Sequence, residues 1–315
     1  MHIVYDEQQL ASLIQQEMVY PMLIDEYVRA KEGEFDAICD GHNVFVPTII
    51  EHVEKTGVHS GDSYAWLPAQ SFTEEEKAKM IDYTKRITNK LHFKGLMNVQ
   101  FIVRDGEVYV LEVNPRASRT VPIVSKVTGV PMVQLATNVL LGKYLSEDVK
   151  QSVSIPYVVL KYPVFSTYKL PGVDPLVGPE MKSTGEGISI AKTVQEAAYK
   201  AFYPYLVKKK EAYEIYVDAR DEAKVLIEHA KQQGLTIVTD EPFERWVEKK
   251  EALAFVSFMR DEQSESRRKQ ALARHVLVLT EEETAHLFVQ AWSTKHFSVC
   301  SIQDWLKNLR EVVRK

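Results

Sequence analysis

Cysteine is scarce in this sequence, and long hydrophobic runs are missing from it. The two cysteines, Cys39 and Cys300, cannot build the disulfide framework of a small secreted domain, so we expect reduced thiols in the cytoplasm. No apolar run reaches the roughly 20 residues of a membrane-spanning helix. The opening residues, MHIVYDEQQL, form neither a secretory signal nor a transit peptide. The sequence therefore predicts a cytoplasmic protein with no membrane partner.

An excess of positive charge is missing as well. The chain carries 39 lysines and arginines against 44 aspartates and glutamates, for a net charge of −5 at pH 7 with histidine neutral. General binding of nucleic acid needs a strong positive field, so we expect no nucleic-acid partner. The remaining composition is ordinary, with 45% hydrophobic and 26% charged residues over 315 positions. It is typical of a globular protein, and the length suggests about two domains.

The pattern of strands and helices changes near the charge triplet Lys208-Lys209-Lys210. Residues 1–207 mix strand candidates, a β-hairpin and a helix after the N-cap candidate Thr73, which indicates an α+β domain with a mixed or antiparallel sheet. Residues 208–315 alternate strands with helices, which indicates a small open α/β domain. We therefore predict two domains, 1–207 and 208–315, which together combine the α/β and α+β classes.

The hairpin within residues 97–120, MNVQFIVRDGEVYVLEVNPRASRT, contains the most informative residues. Asp105-Gly106 separates its two strands and is a strong turn signal. A tight two-residue turn would pair Arg104 with Glu107, whereas a loop with an odd residue count groups positions of equal parity. The odd loop creates a wholly apolar face: Val99, Phe101, Val103, Tyr109, Leu111 and Val113. Since one clean core face is the more stable arrangement, we predict the odd loop, with a bulge at Gly106.

That register places three side-chain oxygens on one side of the hairpin, from Gln100, Glu112 and Asn114. Such oxygens are the ligands that Mg²⁺ takes, usually together with waters and nucleotide phosphates. Arg116 and Arg119 follow directly, and forked guanidiniums suit phosphate or carboxylate recognition. The pattern fits a phosphoryl-transfer site. It fits equally well a surface hairpin with a polar rim, and the residues alone do not decide between the two.

Several longer blocks in this chain resemble one enzyme family. They are DAICDG at 36–41, EHVEKTGVHSGDS at 51–63, MNVQF at 97–101, EVNPRASRTVPIVSKVTGVP at 112–131 and PGVDPLVGPEMKSTGE at 171–186. Together they resemble the second ATP-grasp unit of the carbamoyl-phosphate synthase large-subunit family. The resemblance implies a fold that holds ATP between two α+β lobes. It also implies an ATP-dependent ligase that phosphorylates carbamate to carbamoyl phosphate for arginine or pyrimidine synthesis.

The resemblance assigns roles to individual hairpin residues. It implies that Gln100 and Glu112 bind Mg²⁺ or Mn²⁺ and nucleotide, with Asn114 as a further metal ligand. It implies that Arg116 and Arg119 hold the carbamate or the transferred phosphate.

The nucleotide contacts are implied in the same way. Glu26 and Val28 match the hinge that reads the adenine, and Glu32 matches the ribose-binding acid, although this sequence is one residue shorter between the hinge and the acid. The loop that contacts the nucleotide is matched by four consecutive residues, Gly57, Val58, His59 and Ser60. Each has a simpler interpretation, since Glu26 and Val28 could form a strand end, Glu32 a solvated face and His59 a surface turn. Asp62 resembles a position near a monovalent-cation region, which implies K⁺, or it is a structural turn residue.

Residues 208–315 resemble the allosteric, methylglyoxal-synthase-like domain of the same family. The Thr-rich, Gly-containing phosphate loop of effector-binding members is missing, because the nearest segment, TIVTD at 236–240, has no glycine. Tyr162 stands where ornithine-sensing relatives carry an acid. We therefore expect the arginine-pathway type, with reduced or absent effector binding.

The glycine content bears on what this chain can do alone. It has 13 glycines, none adjacent, and the nearest pair is Gly185-x-Gly187. In the family, a glycine-rich loop that covers the phosphates with backbone N–H donors precedes the strand matched by residues 2–5. We therefore expect a piece of the large subunit that needs the rest of that subunit and the glutaminase small subunit, and that is inactive alone. The alternatives are a non-catalytic regulatory or assembly fragment, or another ATP-grasp carboxylase or ligase.

Overall fold

The structure, a computed structural model, describes residues 3–4, 6–15, 20–146, 153–166, 169–207, 213–218, 223–294, 297–305 and 307. Within these ranges the chain forms two β-sheets with flanking helices. The strands of the first sheet are β1 Lys31–Asp40, β2 Val44–Phe45, β3 Ile50–Lys55, β4 Ala65–Leu67, β5 Lys94–Arg104, β6 Glu107–Asn114, β7 Val158–Val164 and β8 Gly185–Ala191. The helices of this region are α1 Glu7–Ile14, α2 Glu74–Leu91, α3 Val121–Thr128, α4 Met132–Leu140 and α5 Val194–Leu206.

The first sheet is antiparallel, in the order β6-β5-β1-β3-β4-β7-β8, with β2 paired to the end of β1. Side chains alternate between its faces because successive residues of a strand point to opposite sides. Phe35 and Phe101 lie on one face, 5.2 Å apart between ring centroids, in a core that includes Met80 of α2. α2 begins at Thr73 with a capping box to Glu76, as its N-cap signal predicted. The opposite face carries the polar residues described below.

The second sheet is parallel, in the order β10-β9-β11-β12, as the alternation of strands and helices predicted. Its elements are β9 Glu214–Val217, α6 Lys224–Gln232, β10 Thr236–Val238, α7 Phe243–Trp246, β11 Ala252–Val256, α8 Glu262–Ala273, β12 Leu277–Leu279 and α9 Glu282–Trp292. The predicted boundary, at the triplet Lys208-Lys209-Lys210, lies outside the described ranges, so the division into 1–207 and 208–315 stays a prediction. The likeness of the region around the second sheet to a methylglyoxal-synthase-like domain also stays a prediction.

The two sheets share one hydrophobic cluster. Phe202 of α5 packs edge-on against Phe288 of α9, with 5.2 Å between ring centroids, and stacks on Tyr64 at 5.3 Å. Leu160 of β7 and Ile215 of β9 belong to the same buried cluster. Side chains from both sheets therefore exclude water together.

The predicted register of the hairpin is wrong at the turn. Arg104 pairs with Glu107, so the loop has two residues, and Asp105 and Gly106 both have positive φ, at 53° and 80°. This is the type I′ geometry that Asp-Gly favours, because its twist matches that of the flanking strands. The bulge lies in β6, where Gln100 pairs with Glu112 and Phe101 with Val110.

The bulge leaves Leu111 without a partner and reverses the parity of β6. Before it, Val108 is the residue that faces the core, so Tyr109 and Leu111 are 52% and 53% exposed instead of buried. After it, Val113 packs against the core, as predicted. The expected apolar face is therefore present on β5 and only in part on β6.

Within the described ranges, no single helix is long and apolar enough to cross a membrane. The helices α3 and α4 reach that length and apolar character only when taken together, and the pair is bent by 114°.

Candidate functional site

The bulge brings Gln100 and Glu112 onto the same face, although the turn differs from the prediction. Gln100 lies directly opposite Glu112, and Asn98 lies directly opposite Asn114, in the β5–β6 ladder. Opposite residues of an antiparallel pair project to the same side, with Cβ atoms about 5 Å apart. Two of the three predicted metal ligands are therefore cross-strand neighbours, and Asn114 lies two residues further along the same side.

The donor set fits a hard divalent cation. It consists of one carboxylate and two amide oxygens, and Glu112 is exposed at the edge strand. Within the part of the chain that the structure describes, no three His, Cys, Asp or Glu side chains are grouped as metal ligands. Mg²⁺ needs no such cage, since it keeps waters and takes oxygens from substrate phosphates. An exposed site with few protein donors suits that coordination.

The polar face continues across the sheet through residues that the sequence alone did not single out. Glu34 of β1 lies opposite Gln100, and its Oε1 is 3.5 Å from Nε2 of His52 on β3. His52 and Lys161 both lie opposite Ala65, which places them on the same side. The Nζ of Lys161 is fully buried and lies 3.4 Å from Glu186 Oε1. A row of polar and charged side chains thus extends from β6 to β3, and Lys161 of β7 lies beyond Ala65 of β4 on the same side.

Paired charges stabilise this buried row. His52 lies between two carboxylates, with Nδ1 3.4 Å from Glu32 Oε1 and Nε2 3.5 Å from Glu34 Oε1. Burial alone would lower the pKa of His52, but Glu32 and Glu34 raise it to about 10. Burial would likewise raise the pKa of Glu34, and the charge and hydrogen bond of His52, together with Lys161, bring it below its usual value. The imidazole is therefore a cation at neutral pH.

The segment that carries the two arginines is anchored to β1. Oδ2 of Asp36 accepts hydrogen bonds from the hydroxyls of Ser118 and Thr120, both at 2.6 Å. Burial raises the pKa of Asp36 to about 6, against the effect of these two bonds. Oδ1 of Asp36 is buried and has no hydrogen-bond partner. Asp36 pairs in register with Asn98, which in turn lies opposite Asn114, so Asp36 is on the same side of the sheet as the predicted metal ligands.

The predicted nucleotide loop is held in place by its backbone. Ser60 O accepts a hydrogen bond from Lys161 Nζ at 2.6 Å, and His59 N donates to Gly178 O at 2.7 Å. His59 Nδ1 accepts a hydrogen bond from Gly61 N at 3.0 Å, so Nδ1 is the acceptor nitrogen of the ring and Nε2 is its donor nitrogen. His59 is thus part of an ordered loop beside the charged row.

Arg119 reaches this loop, whereas Arg116 does not. A Cβ added to Gly61 would lie 3.0 Å from Arg119 Nη1 and 3.2 Å from His59 Nδ1. The same guanidinium nitrogen contacts Met181 Sδ. Arg116 is exposed and donates to the carbonyl oxygen of Ala117 at 3.2 Å. The structure therefore joins Arg119 to the His59 loop and leaves Arg116 at the rim.

The predicted hinge contacts the loop through Thr56. Tyr27 donates from its hydroxyl to Thr56 O at 2.7 Å, Val28 O accepts from Thr56 Oγ1, and Ala30 N donates to Thr56 Oγ1 at 3.2 Å. Glu26 is exposed and lies outside any strand, so the strand-end interpretation is wrong.

Two acids among the earlier alternatives are buried. Glu32 pairs with His52, so it is not part of a solvated face. Asp62 accepts backbone hydrogen bonds from Lys182 at 2.7 Å and Ser183 at 2.8 Å, which uses both of its oxygens and favours the structural interpretation.

The antiparallel sheet, with its row of polar and charged side chains, is the fold of an ATP-grasp type of unit. Residues 1–148 match the family described as carbamoyl-phosphate synthase L chain, ATP binding domain. The arginine-specific carbamoyl phosphate synthase large chain of Geobacillus stearothermophilus is 58% identical over 99% of this chain and 30% of the relative. That of Bacillus subtilis (strain 168) is 43% identical over 98% of this chain and 29% of the relative. The chain belongs to the carbamoyl-phosphate synthase large-chain family.

The chain spans about 30% of the length of the curated relatives it matches, so it corresponds to a fragment of the large chain. Among solved structures, the biotin carboxylase subunit of a pyruvate carboxylase aligns over 56% of this chain and 45% of that chain, at 15% identity and a TM-score of 0.43.

Proposed function

We propose that this chain, as part of a complete large chain, binds ATP with Mg²⁺ or Mn²⁺ and phosphorylates carbamate to carbamoyl phosphate. The observation that supports it most is a row of polar and charged side chains on one face of the first sheet. It runs from Glu112 and Gln100 through Glu34 to His52, and Lys161, whose Nζ holds Ser60 of the nucleotide loop, lies further along the same side. A surface hairpin with a polar rim needs no such buried row.

The chemistry is the transfer of one phosphoryl group. An oxygen of carbamate forms a bond to the γ-phosphorus of ATP, and the bond from that phosphorus to the bridging oxygen breaks, which releases ADP. Such transfers depend on positioning and on stabilisation of charge more than on covalent catalysis. When bound, Mg²⁺ or Mn²⁺ neutralises phosphate charge. Gln100, Glu112 and Asn114 would hold the metal.

The remaining residues of this chain would orient the reactants. Arg119 lies beside the His59 loop and would hold the acceptor or the transferring group through its forked donors. Arg116, at the rim, would do the same once substrate is bound. Glu26 and Val28 would read the adenine, Glu32 the ribose, and Gly57 to Ser60 the phosphates and sugar.

We infer partners and type from the relatives. The names of both relatives describe arginine-specific enzymes, which favours that pathway over pyrimidine synthesis. The rest of the large chain and a glutaminase small subunit would supply the other substrates, and potassium would act as an accessory ion. The second sheet would serve as an allosteric or assembly domain. We expect the isolated chain to make no carbamoyl phosphate, because it spans about 30% of its relatives.

The test uses the complete large chain with its small subunit. Glu112→Gln removes one oxygen ligand of the predicted metal site, so we expect it to abolish carbamate phosphorylation, measured as ATP synthesis from carbamoyl phosphate and ADP. Glutamine hydrolysis should continue. Glu107→Gln, at the other end of the same strand, is the matched control and should leave both activities intact. Full activity of Glu112→Gln would remove Glu112 from the site.

A further inference from the structure

A buried ion pair joins the two sheets at a distance from the charged row. Arg268 of α8 is 1% exposed and forms a fork with Asp174, with Nε 2.7 Å from Oδ1 and Nη2 2.8 Å from Oδ2. Its third nitrogen, Nη1, donates to Ser257 Oγ at 3.1 Å and to Met259 O at 2.6 Å. Arg268 therefore fixes Asp174 against the carboxyl end of β11.

Asp174 begins a segment, residues 174–183, that we call the strap. Leu176 N donates to Asp174 Oδ1 at 3.1 Å, and Val177 N donates to Thr280 Oγ1 at 3.4 Å just after β12. Lys182 Nζ donates to Leu176 O at 2.8 Å, which folds the strap back on itself. One end of the strap is thus held by the second sheet.

The other end of the strap holds the nucleotide loop. Gly178 O accepts from His59 N, and the backbone N–H groups of Lys182 and Ser183 donate to Asp62, at the distances given above. Ser183 Oγ donates to Gly61 O at 2.9 Å. Met181 contacts the guanidinium of Arg119. On this side the strap contacts His59 of the predicted nucleotide loop, Gly61 and Asp62 directly after that loop, and the predicted substrate arginine Arg119.

We propose that Asp174 and Arg268 are positioning residues, which hold the strap so that the His59 loop and Arg119 are already placed for substrate. This inference rests on the proposed function of that site. The pair touches no substrate itself. A forked, buried guanidinium fixes distance and direction together, which a single exposed contact does not. Burial alone would raise the pKa of Asp174, and the hydrogen bonds of Arg268 lower it, so the carboxylate is charged as the fork requires.

The experiment compares variants of the full 315-residue chain. Asp174→Asn keeps the size of the side chain and removes its charge. Asp174→Glu keeps the charge and is the rescue variant. The exposed ion pair between Arg274, directly after α8, and Glu248 supplies the matched control, Glu248→Gln. Should Asp174→Asn not fold, Arg268→Lys keeps the positive charge, removes the fork and is used in its place.

Three readouts separate positioning from a general loss of structure. Amide hydrogen exchange is followed at residues 57–62, the ring ¹H–¹⁵N signal of His59 reports its tautomer, and titration calorimetry with MgATP gives the Kd. We expect Asp174→Asn to speed exchange at residues 57–62 at least tenfold, to shift the His59 signal and to raise the Kd about tenfold. Asp174→Glu should restore all three to within about threefold, and Glu248→Gln should change none.

Faster exchange in the strap alone, with residues 57–62 and the His59 signal unchanged, would overturn the proposal and leave the pair as a clip between sheets. Failure of Asp174→Glu to restore the signals would also count against it. Where the isolated wild-type chain binds no MgATP, the Kd is measured in the complete large chain, and absence of binding at this site there would instead contradict the proposed function. The exchange and ring signals would still decide the positioning role in that case.

Discussion

Gln100 and Glu112 lie directly opposite each other in the β5–β6 ladder, at the point where an unpaired Leu111 reverses the parity of β6. The bulge therefore decides which side chains reach the predicted metal. Without it, the register set by the two-residue turn would have placed Leu111 opposite Gln100. The cross-strand pair and its position relative to the bulge lead to the first prediction.

We expect Gln100 and Glu112 to act as one unit towards MgATP. Each single change to Ala should raise the Kd for MgATP in the full chain. The loss of binding free energy in the double variant should be smaller than the sum of the two single losses, by a coupling energy of about 1–2 kcal/mol. A double-mutant cycle by titration calorimetry, with and without EDTA, measures this. The pair Arg104 and Glu107 at the turn is the control cycle and should show no coupling. Additive effects of Gln100 and Glu112 would show that they do not share a ligand.

The pH dependence of stability should reflect His52. Because its pKa in the folded chain is about 10, against an ordinary value of 6.5, its contribution is complete below about pH 6.5 and is lost as the pH rises through about 10. We expect the free energy of unfolding from urea titrations to fall over that range. His52→Asn leaves Glu32 and Glu34 without their cation, which should cost about 3–5 kcal/mol at pH 7. His92→Asn, at an exposed C-cap, is the control, and an equal loss there would contradict the assignment.

Glu281 should act in a lower pH range. Burial raises its pKa to about 7 from an ordinary 4.5, with Arg260 opposing and Glu54 adding to the effect. The folded chain then holds the proton more tightly than the unfolded chain, so stability falls as the pH rises from about 4.5 to about 7. Glu281→Gln should remove this fall and gain up to about 3 kcal/mol at pH 8. Urea titrations at pH 5 and pH 8 check this. Exposed Glu262 at the start of α8 provides the control variant, Glu262→Gln, and a gain that is equal at both pH values would contradict the prediction.

Gly33, between the two buried glutamates of β1, has no room for a side chain. A Cβ there would lie 2.5 Å from the ring of Phe72 and 2.9 Å from Ile50 O. Gly33→Ala should therefore destabilise the chain by about 1–3 kcal/mol through overpacking. In β8, Gly185 has nothing within 4 Å of the same position, so Gly185→Ala should be neutral or slightly stabilising. Thermal unfolding of both variants tests the contrast, and equal melting temperatures would contradict it.

The sequence predicts the hairpin because Asp105-Gly106 is a local signal. Its register depends on a balance that the residues alone do not settle. The prediction of an apolar face on β6 assumed that Tyr109 and Leu111 are buried. Both lie on an edge strand and are exposed to water. The turn, with its two positive φ angles, sets the pairing of Arg104 with Glu107. The bulge at Leu111 then shifts the register by one residue, so that Glu112 lies opposite Gln100. Local turn geometry and one unpaired residue outweighed the hydrophobic pattern.

The buried charges could be predicted only in part. Glu32, Glu34 and Asp36 alternate along β1, and that period of two was a signal for one shared face. His52 and Lys161 come from strands distant in sequence, and their burial beside those acids depends on how the strands pair. The fork of Asp174 with Arg268 joins residues 94 positions apart and has no local signal at all. Short-range chemistry is thus visible in the sequence, whereas contacts set by tertiary pairing are not.

The cluster shared by Phe202, Phe288 and their neighbours gives the two sheets a common stability. Neither sheet can expose its side of that cluster without leaving the other's apolar side chains in water. A ligand that binds to the first sheet should therefore stabilise the second sheet as well. The melting temperatures of both sheets should rise together when that ligand is added. A substitution in the second sheet that weakens the cluster lowers the population of chains able to bind nucleotide, with no change at the site itself. The whole chain, and not either sheet alone, is therefore the unit that gains or loses stability.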